Sequence, residues 1–215
     1  MSLILAISGP AAVGKTTICE RLITEFAPRL NRLVTATTRS PRPQEAQGVD
    51  YFFLSESEFE QKLSNGSFLE HEVIHGNKYG ILKETLLNAQ FQGVDILLNI
   101  DVNGTSSLRR FCHNKEELKG CLKTVFIKPL TLDDLRVRLH QRASESDEQI
   151  RIRLANAEAE ILREGEFDFV LESMDRESDY QKFSDIYLSV RLEKFLWLIK
   201  SCKTNLNSRL WTIWI

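Results

Sequence analysis

Gly9-Pro10-Ala11-Ala12-Val13-Gly14-Lys15-Thr16 is the stretch on which the reading of this chain turns, a complete G-x-x-x-x-G-K-[ST] pattern. Before it, residues 3–7 are a continuous apolar run of strand length; after it, residues 17–23 carry apolar positions at helical spacing. Strand, glycine loop and amphipathic helix in that order are the setting in which the pattern binds phosphate. A side chain at Gly9 or Gly14 would obstruct the tight turn whose backbone N–H groups converge on phosphate oxygens, and the helix N-terminus adds the positive end of its dipole. Gly9, Pro10, Ala11, Ala12, Val13, Gly14, Lys15, Thr16 and Thr17 are therefore the expected ATP cradle. Lys15 is placed to reach the β and γ phosphates, and the Thr16 hydroxyl to bind Mg²⁺.

Working outward, three further apolar runs, at residues 94–100, 123–127 and 167–171, are hydrophobic on both faces, as strands of a parallel sheet covered by helices are. The stretches between them, 83–92, 133–141 and 148–163, carry helical periodicity. The expected class is α/β: a P-loop three-layer fold with a central parallel sheet, a small inserted acceptor-binding lobe at about 35–81 and a helical lid at about 133–160. Residues 1–194 read as one domain and 195–215 as a tail. A length of 215 residues, 42% of them hydrophobic and 27% charged, suits one domain with appended lobes.

A formal net charge of −2 gives no global attraction to nucleic acid or to an anionic surface, so a phosphorylated ligand must be met by a local concentration of positive charge. Cys19, Cys112, Cys121 and Cys202 lack the spacing of a zinc site and read as reduced thiols of a cytoplasmic protein. No stretch has the 18 or so uninterrupted apolar residues of a spanning helix, so integral membrane association is not expected.

The local positive charge lies between residues 35 and 79. Thr37-Thr38-Arg39-Ser40-Pro41-Arg42-Pro43 sets two guanidinium groups three residues apart in a proline-stiffened segment, and arginine forks match phosphate oxygens. Phe68-Leu69-Glu70 and Gly76-Asn77-Lys78-Tyr79-Gly80 then offer a carboxylate and a phenol. A carboxylate accepting from two adjacent donors is what a guanine N1–H and N2–H₂ edge requires. Asp101 closes the run 94–100 and has two readings: an acidic partner in a magnesium shell, or a cap on a turn before Asn103-Gly104. In the lid, Arg138 and Arg142 stand at i and i+4 on one helical face, where like charges repel unless an anion lies between them. Arg153 on the next helix could complete a clamp over a triphosphate.

The order SGPAAVGKTT, TTRSPRPQEAQGVDYFF, FLEH, GNKYG and NIDVNG, followed by an Arg-rich helix pair, resembles the guanylate kinase family over about residues 3–190. The resemblance implies transfer of the γ-phosphate of ATP to GMP with Mg²⁺. It implies that Arg39, Arg42, Tyr51 and Tyr79 hold the GMP phosphate, that Glu70 grips the guanine and Thr35 reaches its carbonyl side, and that Asp101 lies near the acceptor and metal, directly or through water. Lys15, Arg138, Arg142 and Arg153 would neutralise charge on the transferring group. Two other outcomes remain open: a kinase for another phosphorylated acceptor such as a ribose bisphosphate, and a non-catalytic module that binds phosphopeptides in the acceptor site. The chain departs from the family at Ile81, where Ser or Thr is usual, at Asn99, commonly acidic, and at Leu171-Glu172-Ser173, often Val-Asn-Asp.

The tail gathers all three tryptophans, Trp197, Trp211 and Trp214. Residues 195–199 read as part of a final helix packing on the sheet domain, and Leu210-Trp211-Thr212-Ile213-Trp214-Ile215 as a sticky patch with three open readings: docking on a neighbouring protein, on a second subunit, or weakly on a membrane interface.

Overall fold

The structure, a computed structural model, describes residues 2–74, 76–141 and 147–210, with backbone alone at residues 74 and 197–210. The first apolar run forms β1 (Ile4–Ser8), and the glycine loop leads into α1 (Lys15–Phe26). There follow β2 (Leu30–Arg32), β3 (Thr35–Thr37), β4 (Tyr51–Phe53), α2 (Glu56–Ser64), β5 (Phe68–Ile74), β6 (Asn77–Leu82) and α3 (Lys83–Phe91). The second half contains β7 (Asp95–Asn99), α4 (Val102–His113), β8 (Leu122–Pro129), α5 (Leu132–Gln141), α6 (Asp147–Ile161), β9 (Phe169–Ser173) and α7 (Arg176–Leu210).

Among the described residues there are two sheets. Strands β2-β7-β1-β8-β9 pair in that order, all parallel. The pleat sends Leu3, Leu5 and Ile7 to one face, where they pack with Ile18 and Leu22 of α1 and with Phe183 and Tyr187 of α7. Ile4 and Ala6 go to the other face, with Leu86 of α3 and Leu108 of α4. Burial on both faces is why these strands read as unbroken apolar runs. The smaller sheet, β4-β3-β6-β5, has its own core of Ala36, Phe59, Phe68 and Leu82. Its helix α2 starts at Ser55, which forms a reciprocal capping box with Glu58.

Two local expectations are corrected. Asn103-Gly104 is not a turn but part of the first turn of α4: the Asp101 carboxylate caps the helix, accepting from the Gly104 N–H at 2.6 Å. Residues 195–199 continue α7, but Phe195 and Leu196 are exposed instead of packing on the sheet domain. The domain-facing side of α7 is set by Tyr180, Phe183, Tyr187 and Val190, and the 100° step per residue carries Phe195 and Leu196 away from it.

Asp95 locks α7 to the central sheet. Its carboxylate is fully buried and accepts from the Leu3 N–H at 2.7 Å, the Tyr187 hydroxyl at 2.9 Å and Arg191 at 3.0 Å. Asp95→Ala leaves a guanidinium, a hydroxyl and an amide without their acceptor. The expected cost is about 3 kcal/mol of stability, seen as a melting temperature lower by roughly 6–12 °C, with Asp95→Asn intermediate.

Candidate active site

At the carboxyl end of β1 the chain turns through Gly9 at φ +135°, where a Cβ would lie 2.1 Å from the Ile127 carbonyl oxygen. Only glycine fits there. Gly14, at φ +109°, begins α1 with no side-chain cap, which leaves the amides of the first turn available to an anion. The Lys15 ammonium folds over the loop and donates to the carbonyls of Gly9 and Pro10.

Two clefts open on either side of this first turn. One, of about 790 Å³, is lined by Gly14, Thr17, Arg138 and Met174 among others. Arg138 from α5 donates to Ser173 Oγ at 3.0 Å and to the carbonyls of Val13 at 3.3 Å and Met174 at 3.4 Å. Ser173 Oγ in turn donates to Asp179 at 2.7 Å. A single polar bracket thus joins the start of the lid to the glycine loop, the end of β9 and the first turns of α7.

The second cleft, of about 500 Å³, lies between α1, the carboxyl end of β7 and the smaller sheet, with Thr16, Thr35, Tyr51, Glu70, Tyr79 and Asn99 on its walls. A register shift between Phe68 and Glu70 in the β5–β6 ladder accompanies the placement of the Glu70 carboxylate on this cleft, against Gly104 of α4. Burial, with the charges of Asp101 and Glu72 adding to it, pushes Glu70 up to about 7. At the other end, Arg39 is held by both oxygens of Glu45 at 2.8 and 2.9 Å and by Tyr79, and its guanidinium lies 5.5 Å from the Tyr51 ring centre. The Tyr51 and Tyr79 rings meet edge to face at 6.1 Å. The Glu45 carboxylate also accepts from the Arg42 N–H at 2.8 Å, and this bond, followed by Arg39, holds it below the usual carboxylate range. Arg42 itself is exposed.

Glu160 from α6 lies within electrostatic reach of both Lys15 and Asp101. One Glu160 oxygen is buried without a hydrogen-bond partner; burial raises this carboxyl above its ordinary range, with Lys15 opposing the shift and Asp101 adding to it. An orphaned carboxylate oxygen is a hard ligand of the kind that suits Mg²⁺. Among the described residues no group of three or more His, Cys, Asp or Glu side chains is placed to hold a metal ion.

The sequence profile of the guanylate kinase family matches residues 2–189. The chain is 35% identical to a guanylate kinase of Rickettsia bellii (strain RML369-C) over 192 residues, 89% of this chain and 96% of the relative. The chain belongs to the guanylate kinase family. It is also 40% identical over 168 residues to a guanylate kinase of Chlorobaculum tepidum (strain ATCC 49652 / DSM 12025 / NBRC 103806 / TLS), covering 78% of this chain and 83% of that one. The crystal structure of guanylate kinase from Anaplasma phagocytophilum superposes with a TM-score of 0.62 at 28% identity, covering 87% of this chain and 85% of that one.

Of the family residues expected from the sequence, the structure brings Thr16, Thr35, Tyr51, Glu70 and Tyr79 onto one cleft, with Arg39 against Tyr51 and Tyr79. Asp101 serves as a helix cap and lies within electrostatic reach of Glu70 and Glu160. Arg138 sits on the glycine loop, whereas Arg153 is exposed on α6, and Arg142 lies outside the described residues. Ile81 is buried in the core cluster with Leu98 and Ile100, so its cleft wall is apolar where the family usually carries a hydroxyl.

Sequence reasoning missed Asp179 and Glu160, read Ser173 only as a departure from the family, and read Gly104 only as part of a turn. The Asp101-x-x-Gly104 spacing of a helix cap was the one signal on the chain for Gly104. A Cβ at Gly104 would lie 1.7 Å from Glu70 Oε2. Gly104→Ala must therefore push the carboxylate aside: the KM for GMP is expected to rise about tenfold with the KM for ATP unchanged, as steady-state kinetics would read it.

Proposed function

We infer that this protein transfers the γ-phosphate of ATP to GMP, giving ADP and GDP. The observation that carries the reading is the meeting of two clefts at the first turn of α1, Thr16 facing one and Thr17 the other, so that two nucleotides can approach tip to tip across the loop. Family membership supports the substrate pair.

In this reading the loop amides and Lys15 hold the donor phosphates, and Arg39, Arg42, Tyr51 and Tyr79 hold the acceptor phosphate. The ionised Glu70 carboxylate accepts from guanine N1–H and N2–H₂, and Thr35 reaches the carbonyl side. Arg138, Arg142 and Arg153 neutralise charge on the transferring group as the lobe at 35–81 and the lid at 133–160 close, which excludes water. Thr16 and Asp101, the latter directly or through water, would hold Mg²⁺, which when bound neutralises charge on the β and γ oxygens. Little proton transfer is demanded of the protein, because positioning and electrostatics carry phosphoryl transfer.

A cytoplasmic setting agrees with the unbonded, buried thiols of Cys19, Cys112 and Cys121. Among the described residues no helix is long and apolar enough to cross a membrane. A phosphopeptide module would have no use for the intact Gly9, Gly14, Lys15 and Thr16, and a ribose bisphosphate would leave Glu70 without a base edge. ADP release coupled to a panel of GMP, AMP, UMP and ribose bisphosphate tests the assignment. GMP is expected to exceed each of the others by about 10² or more in kcat/KM; another acceptor outcompeting GMP would overturn it.

A further inference from the structure

Asp179, in the first turns of α7, is a carboxylate at 4% exposure for which phosphoryl transfer as read above has no use. It stands at the edge of the donor cleft and accepts twice, from the Ser173 hydroxyl at 2.7 Å and from the Met174 N–H at 2.8 Å. Through that hydroxyl it reaches a cation, because Arg138 of α5 donates to Ser173 Oγ at 3.0 Å.

A serine hydroxyl has a single proton to give. Two acceptors compete for it here, the Asp179 carboxylate at 2.7 Å and the Val13 carbonyl at 3.4 Å. The shorter bond, to a carboxylate oxygen, is the stronger, so the proton goes to Asp179 and the lone pairs of Oγ are left to Arg138. Ser173 is itself at 1% exposure, and its burial denies water as a substitute partner. The guanidinium held in this way also donates to the carbonyl of Val13 in the glycine loop at 3.3 Å and to that of Met174 at 3.4 Å, and it lines the donor cleft.

On the reading that Arg138 neutralises charge on the transferring group, we propose that Asp179 is a positioning residue for that transfer: through Ser173 it fixes the Arg138 guanidinium against the glycine loop before the donor nucleotide arrives. A cation on a flexible side chain stabilises a charged transition state the more, the less it has to rearrange, so an anchor at the junction of β9 and α7 acts on rate and not on acceptor affinity. Were Asp179 only a tie between β9 and α7, its loss would be felt as stability, whatever side chain stood at position 138.

Steady-state ADP release by D179N, S173A and R138A, singly and in pairs, separates the two roles. D179N and S173A are each expected to lower kcat about tenfold, with the KM for GMP within about twofold of the wild type. D179N/S173A should be no worse than either alone, and D179N added to R138A should change kcat by less than about twofold, because the positioned group is gone. Should D179N fail to fold, S173A, which removes one hydroxyl, carries the same cycle with R138A. Full turnover by both single variants, or a loss from D179N or S173A that is undiminished in the R138A background, would overturn the proposal. Because ADP release is followed, the cycle is read on whichever acceptor the wild type uses: a wrong acceptor assignment shows in the wild type, and a wrong role for Asp179 shows in the coupling.

Discussion

Lys15→Ala is expected to lower kcat for GDP formation by about 10³-fold or more while the protein remains folded. The ammonium of Lys15 is the cation carried by the loop itself, at the start of α1 beside the carbonyls of Gly9 and Pro10. In the proposed reaction, negative charge spread over the transferring group in a loose transition state would be stabilised there once the site closes, and loss of one such preorganised donor costs several kcal/mol of barrier. The substitution also removes two hydrogen bonds within the loop, so a control is needed. A melting temperature within a few degrees of the wild type, with GMP binding preserved, assigns the loss to chemistry. Turnover unchanged by Lys15→Ala would contradict the role given to the loop.

The second large effect concerns Glu70. Burial, with Asp101 and Glu72 nearby, brings this carboxyl to about 7, so in the proposed reading the free enzyme near neutral pH is divided between an ionised form able to accept from guanine and a protonated form that cannot accept from both donors. Because the shift is upward, the competent ionised form is lost as pH falls through that value. The kcat/KM for GMP is therefore expected to drop about tenfold per pH unit below about 7 and to level off above it. The acceptor phosphate also titrates near pH 6, but it does so for any enzyme variant. Glu70→Gln should flatten the limb between pH 6.5 and 8, at the cost of about 10³ in kcat/KM for GMP, because a neutral amide offers one acceptor and places a donor against guanine. A Glu70→Gln profile that keeps the wild-type limb would assign the titration to another group.

The parts of the molecule that were legible in the sequence are those whose signals are local. The run at residues 3–7, the glycine pattern and the periodicity after it sufficed for β1, the loop and α1, because burial on both faces and the steric demands at Gly9 leave direct marks on residue type. α4 was hidden, since Asn103-Gly104 has the composition of a turn, and only the long-range packing of Leu108 and Cys112 on the sheet makes a helix the better outcome. The parallel pairing of β3 with β4 joins three-residue strands across an irregular segment, and nothing in either strand announces its partner. The contact of Glu70 with Gly104, and with it the raised carboxyl, arises from elements more than thirty residues apart. Ser173 looked like a loss against the family pattern; in three dimensions its hydroxyl joins Arg138 to Asp179. The exposure of Phe195 and Leu196 on α7 escaped because apolar residues at helical spacing read alike whether a domain covers them or not.

The most direct measurement follows the phosphorus itself. ATP labelled at the γ position, incubated with GMP, Mg²⁺ and the protein, should deliver its label to the β position of GDP, one equivalent for each ADP formed, and Lys15→Ala should deliver almost none. Label recovered as inorganic phosphate, or on an acceptor other than GMP when both are offered, would contradict the account.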